Sequence, residues 1–405
     1  MRSVDAHLAA LLELVEPLAP FSLGLLDARG CRLAEDVTAR WSLPAFDSAE
    51  CDGYAVSIRD VYGASAETPV RLRVVDEVRP GARPRAAVVS GGAVRVRAGA
   101  AIPEGTEAVV PLRSVIDDAD WVDVMRAVEL GANIRRTGAE VAAGEVIVRH
   151  GEVIDARSIA LLASTGVGAV HACPPPRVVI VTVGDELIDP GATMLPGAVV
   201  DSNGAMLAAL VQELGAVAYR VGPLPDDEAH LERAVADQLV RADLILIAGG
   251  TSTSAYETIT RVIERLGQMQ LHRVAIEPGG GQGVGLIGDD DVPVLTLPGH
   301  PASAFVSFEA FVRPVILRMA GAERVHRQAV RAELLEPLTS ASGVRQYVPS
   351  HRGIGTDGVL RVRPLHSQHV TSELAEADCL IVIPDAVEQL VRGDVVDVLP
   401  IDGAR

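Results

Sequence analysis

The feature that most constrains the fold is an alternation of apolar runs and helical periods in the second half of the chain. From Arg177 to Gly299 the order is RVVIVTVG, SNGAMLAALVQELG, AYRVGPL, EAHLERAVADQLV, DLILIAGG, YETITRVIERLG and PVLTLPG. The shorter runs are rich in Val, Ile and Leu, as strands are, and the longer ones repeat apolar residues at helical spacing. Such an order predicts a mostly parallel sheet with helices on its faces and right-handed crossovers.

The composition agrees with buried strands of this kind and excludes several functions. Hydrophobic residues make up 48% of the 405 residues but aromatics only 3%, so the core must be built from small aliphatic side chains. The net charge of −18 disfavours a nucleic-acid partner. No run of about 18 apolar residues could span a bilayer, and the first residues lack the build of a signal peptide. We therefore expect a soluble cytoplasmic protein that binds neither nucleic acid nor a membrane.

Other patterns flank this region. The apolar spacing from Val4 to Leu18 predicts an amphipathic helix, and ARSIALLASTGVG after Ile154 predicts another. Short Val-rich runs such as RLRVVDEV, AVRVRA and EAVVPL indicate a small β insertion. After Gly321 the runs RQYVPS, CLIVIP and VVDVLP indicate a β barrel or sandwich. The cysteines have no paired spacing and are predicted to be buried thiols: Cys31, Cys51, Cys173 and Cys379.

Polar side chains and turn residues follow each predicted strand of the parallel sheet. Ligands of open parallel sheets bind outside the carboxyl ends of the strands, so these loops are the first candidates for a site. They are Gly184-Asp185-Glu186-Leu187, Pro225-Asp226-Asp227, Gly249-Gly250-Thr251-Ser252-Thr253-Ser254 and Pro298-Gly299-His300-Pro301-Ala302-Ser303.

Two of these loop features permit both a ligand and a purely structural interpretation. The Gly-Gly-Thr-Ser-Thr-Ser run leads into a helix, where free N–H groups and hydroxyls could bind a phosphate or simply cap the helix. The acids at the same edge could hold Mg²⁺ against phosphate oxygens, or could cap helices and face solvent. Neither a Walker lysine motif nor a G-x-G-x-x-G fingerprint is present. These acids are Asp185, Glu186, Asp226, Asp227 and Glu257.

The motifs together, in this order, resemble the molybdopterin molybdenumtransferases, the family of MoeA and the gephyrin E domain. The resemblance covers nearly the whole chain. The matching segments are PAFDSAECDGYAV, AGAAIPEGTEAVVP, NIRRTGAEVAAGEV, TVGDELIDPG, VVDSNGAMLAALVQELGA, PDD, AGGTSTSAYE and TLPGHPASAFVSFEAFVRP.

The resemblance implies a four-part α/β multidomain subunit. Residues 1–44 and 133–172 would form an elongated domain in two segments, 45–132 a β insertion domain, 173–322 a parallel three-layer α/β molybdopterin-binding domain, and 323–405 a C-terminal β barrel. It also implies a homodimer whose cleft lies between subunits. The implied reaction hydrolyses the pyrophosphate link of adenylylated molybdopterin with Mg²⁺ and inserts molybdate, releasing AMP, and a molybdopterin adenylyltransferase is a possible partner.

The resemblance also assigns roles to individual residues. Catalytic roles fall on five acids: Asp52, Glu140, Glu186, Asp226 and Glu257. Among them, Asp226, Glu257 and Glu186 would hold the metal. Pterin and phosphate binding fall on Gly249, Gly250, Thr251, Ser252, Arg273, Pro298, Gly299, Pro301 and Ser303.

The chain departs from the family pattern at several positions. Where the family reads K-V-A-x-K-P-G-K-P, this chain has Glu277 and Gly280 in place of two lysines, and only Arg273 keeps a positive charge. Ala98 replaces a threonine and His300 an asparagine, while Glu140 and Glu257 are acids with a longer arm. Two alternatives to the transferase therefore stay open: a paralogue that binds the pterin or the cofactor as a carrier or scaffold, and a related enzyme acting on another phosphorylated heterocycle or nucleotide.

Overall fold

A computed structural model describes residues 1–249, 253–365 and 371–401. The chain divides into two compact units, one formed by 1–21, 30–34 and 171–405 and the other by 22–29 and 35–170. The helices are α1 (Val4–Glu13), α2 (Ala156–Ser164), α3 (Ser202–Glu213), α4 (Glu228–Ala236), α5 (Thr253–Leu266), α6 (Pro301–Ser307), α7 (Arg313–Met319) and α8 (Thr371–Glu376).

Strands occur in both halves of the chain. Up to Cys173 they are β1 (Phe21–Gly24), β2 (Arg32–Leu33), β3 (Val37–Thr38), β4 (Ser48–Ala49), β5 (Gly53–Val56), β6 (Val70–Val78), β7 (Gly92–Val96), β8 (Ala108–Pro111), β9 (Val115–Asp118), β10 (Trp121–Val124), β11 (Ile134–Arg135), β12 (Val146–Val148) and β13 (Ala169–Cys173). Beyond it they are β14 (Arg177–Val183), β15 (Leu187–Ile188), β16 (Val199–Val200), β17 (Val217–Leu224), β18 (Leu244–Gly249), β19 (Gly267–Arg273), β20 (Ile276–Glu277), β21 (Gly281–Ile287), β22 (Val292–Leu297), β23 (Val330–Leu334), β24 (Leu338–Thr339), β25 (Arg345–Ile354), β26 (Leu360–Pro364), β27 (Cys379–Ile383), β28 (Gln389–Leu390) and β29 (Val395–Pro400).

The predicted parallel sheet is present, in the order β17-β14-β18-β22-β21-β19. Strands β17, β14, β18 and β22 run parallel to one another. The hairpin of β21 and β19 that completes the sheet is antiparallel and was not predicted. Glycine-rich β21 and glutamine-rich β19 lack the continuous Val and Ile runs that mark the other strands, which explains why the pattern did not reveal them.

Alternate residues of the central strands point into two separate cores, which makes this region the three-layer domain that was predicted. Val178 and Ile180 of β14 lie in one core with residues of α1, α3 and the α6–α7 region. Val179 and Val181 of the same strand lie in the other core with residues of α4 and α5. Both faces are therefore covered by helices, as buried parallel strands require.

The N-terminal helix α1 is shorter than its apolar spacing predicted. Ser3 caps it by accepting from the N–H of Ala6 at 3.2 Å, and Val4, Leu8 and Leu11 are buried. The helix ends at Glu13 rather than near Leu18. Glu16 precedes Pro17, and the residue before a proline is disfavoured in the helical conformation.

The second unit contains the predicted β insertion as a mixed sheet in the order β8-β5-β7-β6-β10-β9. The helix predicted after Ile154 is α2, which Asp155 caps by accepting from the N–H groups of Arg157 and Ser158. The division into four domains at the boundaries given above remains a prediction.

The tail after Gly321 forms a β barrel. Strands β25-β26-β23-β29-β27 follow one another, and pairing between β25 and β27 closes the ring. Of the cysteines, Cys31, Cys173 and Cys379 are buried as predicted, whereas Cys51 is only half-buried. Within the described ranges, every helix is too short or too polar to cross a lipid bilayer.

Candidate functional site

The loops predicted to carry the chemistry follow neighbouring parallel strands. Strand β14 lies between β17 and β18, and β22 lies beside β18. The carboxyl ends of parallel neighbours lie at one edge of a sheet, which is where ligands of such folds bind. The structure therefore brings Gly249 and the segments after Val183, Leu224 and Leu297 to the same edge.

Two of the acidic loops are joined directly. The N–H of Asp226 donates to Oδ1 of Asp185 at 2.9 Å, and the N–H of Gly184 donates to the carbonyl of Leu224 at 3.0 Å. The carboxylate of Glu186 folds back over Gly184, because a Cβ added there would lie 2.7 Å from Oε2 of Glu186. Glycine at this position therefore leaves space for the predicted catalytic acid.

Asp226 has an unsatisfied carboxylate oxygen. Its Oδ1 is buried and has no hydrogen-bond partner among the described residues. The helix α4 is capped instead by the next residue, Asp227, which accepts from the N–H of His230 at 2.9 Å. The structural alternative in which Asp226 is a helix cap is thus wrong. Buried polar atoms almost always have a partner, so this oxygen is suited to a group outside the chain, and a carboxylate oxygen suits a hard cation such as Mg²⁺.

Glu257 is held by its own helix. Its carboxylate lies 3.6 Å from Nη1 of Arg261, one turn along α5, and Arg261 in turn contacts Glu228 of α4 at 2.6 Å. Within the described ranges, His, Cys, Asp and Glu side chains form no group of three or more that could hold a metal ion. The metal-binding trio of Asp226, Glu257 and Glu186 accordingly remains a prediction.

Of the four residues predicted to bind the phosphate, Gly249 to Ser252, the structure describes only Gly249. Gly249 has a φ of 138°, and a Cβ there would lie 2.2 Å from the carbonyl oxygen of Val183, so only glycine fits. Gly250, Thr251 and Ser252 lie outside the described residues, and their predicted role is untested.

The loop after β22 is fixed by a residue that sequence reasoning gave no role. Asn203 of α3 is buried and donates from Nδ2 to the carbonyl of Gly299 at 2.7 Å. The preceding Asp201 is also buried and accepts from Thr182 and from the N–H of Gly204, at 2.9 and 2.8 Å. The sequence Asp-Ser-Asn directly before a run with helical spacing of apolar residues is typical of a helix N-cap, and this signal could have identified the pair.

The segment that departs from the family pattern packs against this same loop. A Cβ on Gly279 would lie 3.3 Å from both Pro298 and the carbonyl of Ser303. A cavity of about 520 Å³ beside the segment is lined by residues that include His272, Arg273, Glu277 and Gly280. The predicted pterin residues Pro298 and Ser303 therefore adjoin the altered segment, and Ser303 is buried. Arg273, at the end of β19, is exposed.

Asp52 and Glu140 belong to the second unit, and each contacts an arginine there. Asp52 accepts from the N–H of Ala98 at 2.8 Å and from Nη1 of Arg97 at 3.1 Å. The N–H of Ala98, followed by Arg97, holds the pKa of Asp52 below its ordinary value. Glu140 lies 3.6 Å from Arg135. The substitution of Ala98 for threonine keeps the backbone contact that binds Asp52.

Comparisons with known proteins identify the chain. Family models match residues 2–166 (MoeA N-terminal region, domains I and II), 179–318 (probable molybdopterin binding domain) and 331–401 (MoeA C-terminal region, domain IV). These matches define a multidomain protein built around a molybdopterin-binding type of α/β domain. The chain belongs to the molybdopterin molybdenumtransferase family.

Individual relatives match over almost their entire length. Molybdopterin molybdenumtransferase 1 of Mycobacterium tuberculosis is 36% identical, with 98% of each chain covered. Molybdopterin molybdenumtransferase 2 of the same species is 34% identical, with 97% of this chain and 98% of the relative covered. A crystal structure of a molybdopterin biosynthesis MoeA protein from Pyrococcus horikosii superposes with a TM-score of 0.82 at 28% identity, with 99% of each chain covered.

Proposed function

We propose that this protein inserts molybdate into adenylylated molybdopterin during molybdenum cofactor biosynthesis and releases AMP. The observation that carries the proposal is the buried oxygen of Asp226 at the carboxyl edge of the parallel sheet, which has no partner among the described residues. The family relationship supplies the substrate class. In the reaction, water cleaves the P–O–P link and gives AMP and the pterin phosphate. The two dithiolene sulfurs then bond to molybdenum, and one molybdate oxygen leaves as water with the two thiol protons.

Each group of residues has a distinct task in this proposal. Asp226, with Glu186 and Glu257, would hold Mg²⁺. That cation would supply positive charge to the pyrophosphate oxygens. The family resemblance also gives Asp52 and Glu140 of the second unit catalytic roles. The remaining residues bind the pterin and its phosphate: Gly249, Gly250, Thr251, Ser252, Arg273, Pro298, Gly299, Pro301 and Ser303.

Several parts of the proposal rest on the family resemblance rather than on the geometry. They are a homodimer, a cytoplasmic location, and a molybdopterin adenylyltransferase that supplies the adenylylated substrate. Size measurement in solution, cell fractionation and co-purification test these parts separately from catalysis.

The proposal is tested by incubating the purified protein with adenylylated molybdopterin, Mg²⁺ and molybdate. We expect AMP and a cofactor that activates a molybdenum-free apoenzyme. Omission of molybdate should leave the apoenzyme inactive. If neither AMP nor active cofactor forms under any of these conditions, the proposed activity is absent.

A second candidate function is a carrier or scaffold that binds molybdopterin or the finished cofactor without turnover. The observation that favours it is that Glu277 and Gly280 line the cavity beside Arg273, where the family has lysines. An acid there repels an oxyanion. Saturable pterin binding without AMP release would establish this function in place of the first.

A further inference from the structure

The N-terminal residues form a basic cluster with the end of β19, next to the segment that departs from the family pattern. The N–H of Arg2 donates to the carbonyl of Arg273 at 2.9 Å, and the N–H of Ala275 donates to the carbonyl of Arg2 at 2.8 Å. These backbone bonds hold Arg2 beside the end of β19. Its side chain then reaches back along the strand, where Nη1 lies 3.3 Å from Nε2 of His272.

A second histidine lies behind the first. His7 of α1 meets the ring of His272 edge-on with centroids 5.5 Å apart, and meets Phe311 at 4.8 Å. It is 1% exposed, and its Nδ1 has no hydrogen-bond partner among the described residues. Burial, together with the nearby His272 and Arg2, lowers the pKa of His7 to about 4. Burial and then Arg2 also lower the pKa of His272.

This cluster opens into a cavity of about 230 Å³. Arg2 and His272 line it together with the side chains of Gln268 and Gln270. Within the described part of the chain, Arg2 has no carboxylate within ion-pair distance, so its charge is available. Sites for drug-sized molecules begin at about 300 Å³, which limits this cavity to a smaller ligand.

One acid, Glu13 of α1, also lines the cavity. Its charge disfavours a ligand with several negative groups and favours a single compact anion placed against Arg2. The guanidinium presents paired N–H groups that match two oxygens of such an anion. Amide N–H groups of Gln268 and Gln270 provide further donors without adding charge.

We propose that this cavity is a binding site for a small tetrahedral oxyanion of the phosphate or sulfate class, held by Arg2 with His272, Gln268 and Gln270. This cavity is distinct from the one beside Glu277, with which it shares His272, and the proposal does not depend on the transferase activity. In the free protein, Nε2 of His272 accepts from Arg2. On anion binding, His272 takes up a proton and donates to an anion oxygen, so binding strengthens as the pH falls.

The test is a titration of the full chain with inorganic phosphate, followed by NMR of labelled histidine rings. We expect saturable shifts of the His272 and His7 signals in the wild type. Arg2→Gln should weaken binding by about tenfold or more, because a charged hydrogen bond is lost. Arg2→Lys should retain part of the affinity, which separates charge from folding. Arg392→Gln removes the same charge at an exposed position of the barrel unit and should change binding by less than about twofold.

The pH dependence of anion binding distinguishes a specific role of His272 from a general electrostatic attraction of anions to the protein. Affinity for sulfate, which keeps its charge over this range, should rise from pH 8 to pH 6 in the wild type, and this rise should disappear in His272→Gln. Linear shifts without saturation, or equal weakening in Arg2→Gln and Arg392→Gln, would overturn the proposal. Among the described residues, six charged or titratable groups line the two cavities that share His272 or contact its ring: the α-amino group of Met1, Arg2, His7, Glu13, Arg273 and Glu277.

Discussion

Asp52 and Asp226 are both loop aspartates to which the family resemblance assigns catalytic roles, but their surroundings differ. Asp52 is bound by Ala98 and Arg97 of its own unit. Asp226 has only its own N–H engaged, with Asp185, and keeps a buried oxygen without a partner among the described residues. Residues of its own unit pair with the first carboxylate, whereas the described residues leave one oxygen of the second without a partner. We therefore expect AMP release to respond differently to the replacement of these two aspartates.

The largest expected effect is at Asp226. Asp226→Asn should lower AMP release by about 100-fold or more, because it removes a charge on which the proposed site depends. Asp227→Asn changes the neighbouring acid in the same way but keeps a residue able to cap α4, so activity should stay near wild type. Single-turnover AMP release measures both variants. Equal losses would show that the loop, rather than the carboxylate of Asp226, carries the effect.

Asp52→Asn should reduce AMP release less, by about tenfold or about 1.4 kcal/mol of barrier. The amide can still accept from Ala98, and the lost charge was already balanced by Arg97. Asp117→Asn removes a comparable acid, one that pairs with Arg95 in the same sheet, and serves as the control for folding. A loss at Asp52 as large as that at Asp226 would erase the contrast between the two acids.

The segment in which Glu277 and Gly280 replace two family lysines tests whether the charge needed for AMP release comes from the site at Asp226. Glu277→Lys combined with Gly280→Lys should change AMP release by less than about threefold if the cation site at Asp226 supplies the needed charge, because the lysines would then add charge that the reaction does not need. A rise of about 100-fold in the double variant would instead mean that the natural chain is a carrier. Steady-state rates at fixed Mg²⁺ decide between these outcomes.

The smallest effect concerns acid stability. The pKa of Asp52 is lowered in the folded chain, so its contribution to stability is present above the ordinary value of 3.8 and is lost as the pH falls through the folded pKa. Asp52→Asn should therefore lower the melting temperature slightly near pH 6 and bring it closer to wild type at pH 2 to 3. A constant difference across that range would mean that the ion pair with Arg97 contributes nothing.

Much of the fold could be predicted because its strands carry a strong local pattern. The runs at Arg177–Val183 and Leu244–Gly249 are continuous Val, Ile and Leu segments, and both are central strands. The edge hairpin of β19 and β21 was missed because strands with Gln and Gly at alternate positions do not display such a run. Its antiparallel pairing depends on tertiary contacts that spacing alone does not reveal.

The site was predictable in part. Parallel topology places Glu186 and Asp226 at one edge, so their shared location followed from the strand order. The free oxygen of Asp226 and the capping by Asp227 could not be predicted, since two adjacent aspartates before a helix are equivalent in sequence. The pairing of Glu257 with Arg261 was a possible i, i+4 contact among several on α5.

Metal binding tests most directly whether the buried oxygen of Asp226, which has no partner in the described part of the chain, marks a cation site. Mn²⁺ can replace Mg²⁺ as a spectroscopic probe, titrated into wild type and Asp226→Asn in the presence of AMP and followed by electron paramagnetic resonance. We expect one saturable Mn²⁺ site in the wild type and an affinity about tenfold lower, or lower still, in the variant. Equal Mn²⁺ affinity in the two proteins would contradict it.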